Sequence, residues 1–155
     1  MTGTGADVPR TSPQARIAAD VATSRRFITV WCPDWPIVAA GRRHDTPAAV
    51  LRAHRVVARS TAAGDDGVVI GQRRRQAQQR CPMIELLDDD PARDAREFEP
   101  VVRAVVAIAP RVELVEPGWL TVDARGPSRY FGGDHATADH LADVVRTELE
   151  RADVH

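Results

Sequence analysis

Lysine is missing from this sequence altogether. All 21 basic residues of the 155 are arginine, set against 22 acidic ones, for a formal net charge of −1. GC-rich coding explains the absence most simply, and the balanced charge by itself points to neither a nucleic-acid nor a membrane partner. Cysteine is almost as scarce. Cys32 and Cys81 stand far apart and outside any Cys-x-x-Cys spacing, which argues against a structural zinc site or a disulfide framework and fits a reducing cytoplasm. Long apolar runs are lacking too. Residues 1–26 hold nothing of signal-peptide length and no later segment approaches a membrane span, so the expectation is a cytoplasmic protein without a membrane partner. Aromatic residues number three Trp, one Tyr and three Phe, without the aromatic pairs expected of an RNA-binding sheet.

What is present begins with arginine. Its planar guanidinium binds phosphate bidentately and stacks on bases, so a clustered arginine face would suit nucleic acid. Residues 1–26, rich in Thr, Ser, Ala, Pro and Arg and without periodicity, read as a flexible tail. Order is predicted from Phe27-Ile28-Thr29-Val30-Trp31-Cys32, a breaker-free strand ended by Pro33 and Pro36. A short helical stretch, Ile37–Ala40, closes at Gly41. Residues 48–58 read as a strand pair with His54 in a solvent-facing turn. Short helices are expected over 60–66 and 72–80, and a brief strand over 83–87.

The run Asp88-Asp89-Asp90-Pro91 invites a metal, but proline in the first turn makes Asp90 an ordinary helix N-cap. That helix is predicted to reach Ala109, with Phe98, Val101, Val102, Val105 and Ile108 on its apolar face. Next comes RVELVEPGWLTV, residues 111–122: two short strands flanking a Pro117-Gly118 turn, with one acid, Glu116, just before it. Trp35, Phe98 and Trp119 are the expected aromatic core. A Gly-rich loop, residues 125–133, with Phe131-Gly132-Gly133 packing it onto the sheet, leads to a last helix with Leu141, Val144, Val145 and Leu149 on one side. Asp134 or Thr137 caps it.

Without residues 45–88 the order is β-α-β-β-α, an α+β, ferredoxin-like split βαβ unit lacking its final strand. The expected organisation is thus a tail over 1–26, a palm-like domain from 27–44 and 89–155, and a finger-like insertion over 45–88. The chain stops where the last strand would begin, so a longer protein is expected.

This layout resembles that of Y-family DNA polymerases. Val57-Ala58, Gly67-Val68, Gly71, Ala77 and Cys81-Pro82 resemble their finger segment in order and spacing. Trp31-Cys32-Pro33-Asp34-Trp35-Pro36 and Gly126-Pro127-Ser128-Arg129-Tyr130-Phe131-Gly132-Gly133-Asp134 are similar to two motifs of that family's catalytically degenerate branch, the ImuB-type mutasome proteins of bacteria. Active members place one Asp at the end of the first strand and an Asp-Glu pair at the hairpin, to hold two Mg²⁺ ions. By resemblance the first falls at Cys32 and the pair at Glu116 and Pro117, so one acid of three is retained. If Asp34 instead of Cys32 faced the hairpin, Asp34, Glu116 and Asp123 would be a set for a single ion. The family's Tyr-x-x-Arg triphosphate grip falls at Thr61 and Gly64.

The resemblance implies a pseudo-polymerase with no catalytic residues, metal or cofactor. It would act in SOS-linked DNA-damage tolerance and induced mutagenesis beside a sliding clamp, a RecA-like accessory protein and an error-prone C-family polymerase, mostly through regions beyond this chain. Weak DNA contact is expected at Arg73, Arg74, Arg75 and Arg80, and at Arg125 and Arg129, although a solvated face explains the first group equally well. Two alternatives stand: an active translesion polymerase with unusual metal ligands, and an unrelated ferredoxin-like nucleic-acid-binding module.

Overall fold

The computed structural model describes residues 25–152; of the tail expected over 1–26, all but Arg25 and Arg26 lies outside them. In chain order the elements are β1 (Phe27–Trp31), α1 (Trp35–Ala39), β2 (Ala48–Arg52), β3 (Arg55–Arg59), α2 (Thr61–Asp65), α3 (Arg74–Arg80), β4 (Glu85–Asp88), α4 (Pro91–Ile108), β5 (Val112–Glu116), β6 (Trp119–Asp123), α5 (Arg125–Phe131) and α6 (Asp134–Ala152). The result is a mixed α+β fold with two small sheets.

The first sheet has the antiparallel order β1-β6-β5. Strand alternation sends Ile28, Val30, Leu120 and Val122 to one face, where they meet Phe98, Val101 and Val105 of α4 and Leu141 and Val145 of α6. The helix spacing read from the sequence selects those α4 and α6 residues, because positions three and four apart share one face. Strand β1 ends at Trp31, ahead of Pro33, and Asp34 follows with a φ of 53°.

The second sheet has the order β3-β2-β4, with β2 antiparallel to β3 and parallel to β4. Ala53 and His54 both take positive φ, the requirement of a two-residue type I′ turn, and His54 is exposed as expected. The central strand β2 is buried on both faces. Ala49 and Leu51 join a cluster with Val56, Ala63 and Ala77, while Ala48 and Val50 meet Ile37 of α1. Alanine at four of these places, Ala48, Ala49, Ala63 and Ala77, lets helices approach the strand from both sides. Ser60 caps α2: its fully buried Oγ accepts from Ala63 N at 3.2 Å and from Ala48 N at 3.0 Å. Asp90 caps α4, its Oδ1 accepting from Arg93 N at 2.9 Å.

Three expectations are corrected. Residues 125–131 form α5 instead of a loop, and only Gly132 and Gly133, both at positive φ, link it to α6. The motif around them is a helix–helix lock: Ser128 Oγ donates to Asp134 Oδ1 at 2.5 Å, and Thr137 Oγ1 donates to Gly133 O at 2.7 Å. Phe131 packs against His140 of α6, ring centroids 4.6 Å apart, and not onto the sheet. Trp119 is no core residue. It lies on the open face of the first sheet, 40% exposed, directly opposite Trp31; the sheet has helices on one side only, and sequence alternation does not say which side.

The turn between β5 and β6 lies directly against Trp35. Gly118 has a φ of 92°, as the third residue of a type II turn after proline requires. A Cβ there would fall 2.4 Å from Cβ of Trp35. Replacing Gly118 by Ala is therefore expected to destabilise by more than ~1 kcal/mol, because left-handed strain and a clash with buried ring atoms coincide. Phe98→Ala, emptying a site that is 1% exposed, should cost about 3–5 kcal/mol in denaturant unfolding.

Candidate functional site

Where the tip of the β5–β6 hairpin, the end of β1 and the second sheet converge, a cleft of about 460 Å³ opens. The β1 end supplies Trp31 and Cys32; the hairpin supplies Glu116, Pro117, Gly118 and Trp119; Asp34, Arg52, Ile70, Asp89 and Asp94 come from the surrounding elements. The hairpin is held to β1 at this point by Cys32 N donating to Gly118 O at 2.8 Å. Cys32, Glu116 and Pro117, named from sequence as the degenerate catalytic positions, are thus brought together.

Their chemistry does not match a two-ion site. Burial pushes the Cys32 thiol up, which disfavours the thiolate. Even a thiolate is a soft ligand, whereas magnesium takes hard oxygen donors in an octahedral array. Pro117 has no side-chain donor atom. Glu116 is the one carboxylate at the tip. Among the described residues no three of His, Cys, Asp and Glu are grouped so as to hold an ion. The alternative set of Asp34, Glu116 and Asp123 is not assembled. Asp123 is at the far end of β6, roughly 13 Å along the strand from the residue opposite Glu116. There it accepts from Arg125 N at 3.1 Å and pairs with Arg111 at 3.7 Å.

The remaining cleft acids are held in place by arginine or by burial. Arg52 Nε donates to Asp89 at 2.6 Å, and Arg93 donates to Asp94 at 2.9 Å. Burial raises the Asp94 carboxyl in spite of Arg93. Asp34 is likewise raised by burial, partly offset by the charges of Arg59 and His44.

Thr61 and Gly64, named as the lost triphosphate grip, are on α2 and do not line this cleft. Arg59 is the residue that sequence reading missed. A Cβ built on Gly64 would come 1.3 Å from Nη1 of Arg59, so the Arg59 guanidinium fills the space in which a side chain at 64 would start. The only signal in the sequence was a glycine inside a predicted helix, five residues after an arginine.

The six arginines named as DNA contacts fall into separate places. Arg73, Arg74 and Arg75 surround a hollow with Arg55 and His54 at the β2–β3 turn, and Arg80 is on the last turn of α3. No carboxylate pairs with these four among the described residues. Arg125 and Arg129 line a different hollow with Arg111 and Asp123, on the first sheet.

A pH dependence follows from Asp34. Its carboxyl titrates higher in the folded chain than in the unfolded one, so its charged form opposes folding, and that penalty is absent below the ordinary carboxylate range. Asp34→Asn keeps a side chain that tolerates positive φ. It should raise the melting temperature at pH 7 by a small amount, with the gain vanishing near pH 3.

Comparison with known proteins places the fold. The sequence model of the family described as IMS: impB/mucB/samB matches residues 36–152. No curated protein sequence matches the chain. Three similar solved structures are a ternary complex of Dbh with partially disordered substrates, a Y-family DNA polymerase chimera of Dbh and Dpo4, and DinB from Sulfolobus solfataricus. Their TM-scores are 0.64, 0.64 and 0.63 at identities of 14%, 12% and 12%. The superpositions cover 79%, 80% and 81% of this chain but only 37%, 39% and 38% of theirs. The fold is that of the Y-family palm region, and the chain spans about two fifths of those proteins. No described helix is long and apolar enough to cross a membrane.

Proposed function

The chain belongs to the impB/mucB/samB family, and from that premise we propose that it is a non-catalytic, polymerase-like platform of the ImuB type. In this reading it serves DNA-damage tolerance and induced mutagenesis as an adaptor. Its partners are a sliding clamp, a RecA-like accessory protein and an error-prone C-family polymerase, contacted mostly through regions beyond these 155 residues.

The observation that carries the reading is the donor set of the cleft. Nucleotidyl transfer relies on two hydrated cations clamped between carboxylates and the triphosphate, because catalysis there is mainly positioning and charge neutralisation. Cys32 and Pro117 stand in the same cleft as Glu116 and offer neither a hard oxygen nor a charge. A second support is independent of the first. Thr61 offers no ring to stack on a nucleotide, and Gly64 has no side chain of its own; the guanidinium beside it belongs to Arg59 of the adjoining strand. The G-P-S-R-Y-F-G-G-D motif supports the ImuB branch on sequence resemblance.

In a primer-extension assay with Mg²⁺ or Mn²⁺, the protein should add no nucleotide. Synthesis that disappears on Glu116→Ala would overturn the reading. Restoring acids with Cys32→Asp and Pro117→Glu should not create activity, because Thr61 and Gly64 still lack the side chains of the family's triphosphate grip.

DNA contact, where it occurs, belongs to the finger-like insertion in this reading. Arg73, Arg74, Arg75 and Arg80 are unpaired cations on and beside one short helix, and binding through phosphate charge falls steeply with salt. Changing all four to Gln should remove most salt-dependent binding to a single-stranded oligonucleotide while leaving the melting temperature within a few degrees.

A further inference from the structure

Two of the three tryptophans are outside the core, and both stand at the mouth of the same cleft. Trp31 is 69% exposed and Trp119 40%, in directly opposed positions on β1 and β6. Across the opening, Ile70 is 53% exposed. Large apolar side chains left in water beside a concavity mark contact surfaces, and tryptophan is prominent among residues that dominate binding energy.

Charge selects between occupants. The cleft walls carry Asp34, Asp89, Asp94 and Glu116 against a single guanidinium, Arg52. Arg52 is taken up by Asp89, and Arg93 by Asp94. Arg59 and His44 offset Asp34 from outside the cleft, and only in part, since burial dominates there. Glu116 is exposed beside Trp119 without a cationic partner among the described residues. Arg73, Arg74 and Arg75, which have no carboxylate partner among the described residues, line a different hollow, at the β2–β3 turn. A phosphate backbone entering the cleft would therefore meet residual negative charge, whereas an arginine or lysine would meet Glu116 beside two exposed indoles, rings that attract cations.

We propose that this cleft docks a polypeptide segment of a partner protein, one that sets an apolar anchor between Trp31, Trp119 and Ile70 and a basic side chain against Glu116. The inference rests on the non-catalytic reading, because an active cleft would be filled by primer and nucleotide. It goes further by giving the chemistry of the segment recognised: basic and apolar residues in close sequence, bound where the reaction would otherwise occur.

Selection of a displayed random 12-residue peptide library on the full chain, with counter-selection on the Trp31→Ala/Trp119→Ala protein, tests it. Enriched sequences should carry Arg or Lys within a few positions of Leu, Phe or Trp. A synthetic peptide of that sequence should bind the parent and quench its tryptophan fluorescence. Its Kd should weaken at least tenfold on the double variant and severalfold on Glu116→Gln, with melting temperatures unchanged. Salt should weaken it further. Failure to enrich, enrichment of acidic or uncharged peptides, binding that survives loss of both tryptophans, or displacement of the peptide by the oligonucleotide dT20 would each overturn the proposal. Primer extension on the same preparations separates the two readings. DNA synthesis refutes the non-catalytic one, whereas absent synthesis with no selected peptide refutes only the docking site.

Discussion

Trp35 is the contact on which the rest of the molecule depends. It sits one turn past the end of β1 and is buried, its Nε1 donating to the carbonyl of Asp94 on α4 at 2.9 Å. Its ring meets Phe98 edge to face, centroids 4.9 Å apart, a favoured arrangement for aromatic quadrupoles. Above it lies the hairpin turn at Gly118, so close that no side chain fits between them. One side chain thereby fixes the first strand, the long helix and the hairpin relative to each other. Because α1 starts at Trp35 and also sends Ile37 into the second sheet, the same residue sets the distance across the cleft.

That arrangement accounts for the residues at the hairpin tip by packing alone. The turn needs glycine for close approach to Trp35 and proline to preset the preceding φ, and both requirements are about packing. A carboxylate in place of Pro117 would add nothing to that contact. Likewise Gly64 and Arg59 form a compensating pair, in which the side chain absent at one position leaves room for the guanidinium of the other. The cleft is bounded by Val57 and Ala58 of β3 on one side and the Trp35 junction on the other. Its lining is a mixture of tryptophan, thiol, proline and acid. Such a surface is better suited to gripping a side chain than to holding hydrated cations.

Much of this organisation was legible in the residues. Periodicity gave α4 and α6 with their buried faces, because three- and four-residue spacing is a local property. The Asp90 cap and the exposed His54 turn were readable for the same reason: a cap or a two-residue hairpin is completed within a few positions of chain. The pairing of Glu116 with a side chain lacking donor atoms was visible in the order Glu-Pro-Gly itself.

What the sequence by itself determined, then, is most of the strands and the two long helices, the cap at Asp90, the turns at His54 and Gly118, and which residue types stand at the hairpin and the end of the first strand. Tertiary structure decided the rest. It put Trp119 on the open face, since alternation fixes that two faces differ but not which one the helices cover. It turned an apparent glycine loop into α5, because the partners that lock it, Asp134 and His140, belong to another helix. It brought Arg59 over Gly64, and Trp31 opposite Trp119 at the mouth of an acidic cleft. These are relations between side chains on separate elements, set by how the two sheets and α4 pack around Trp35, and no local pattern encodes them.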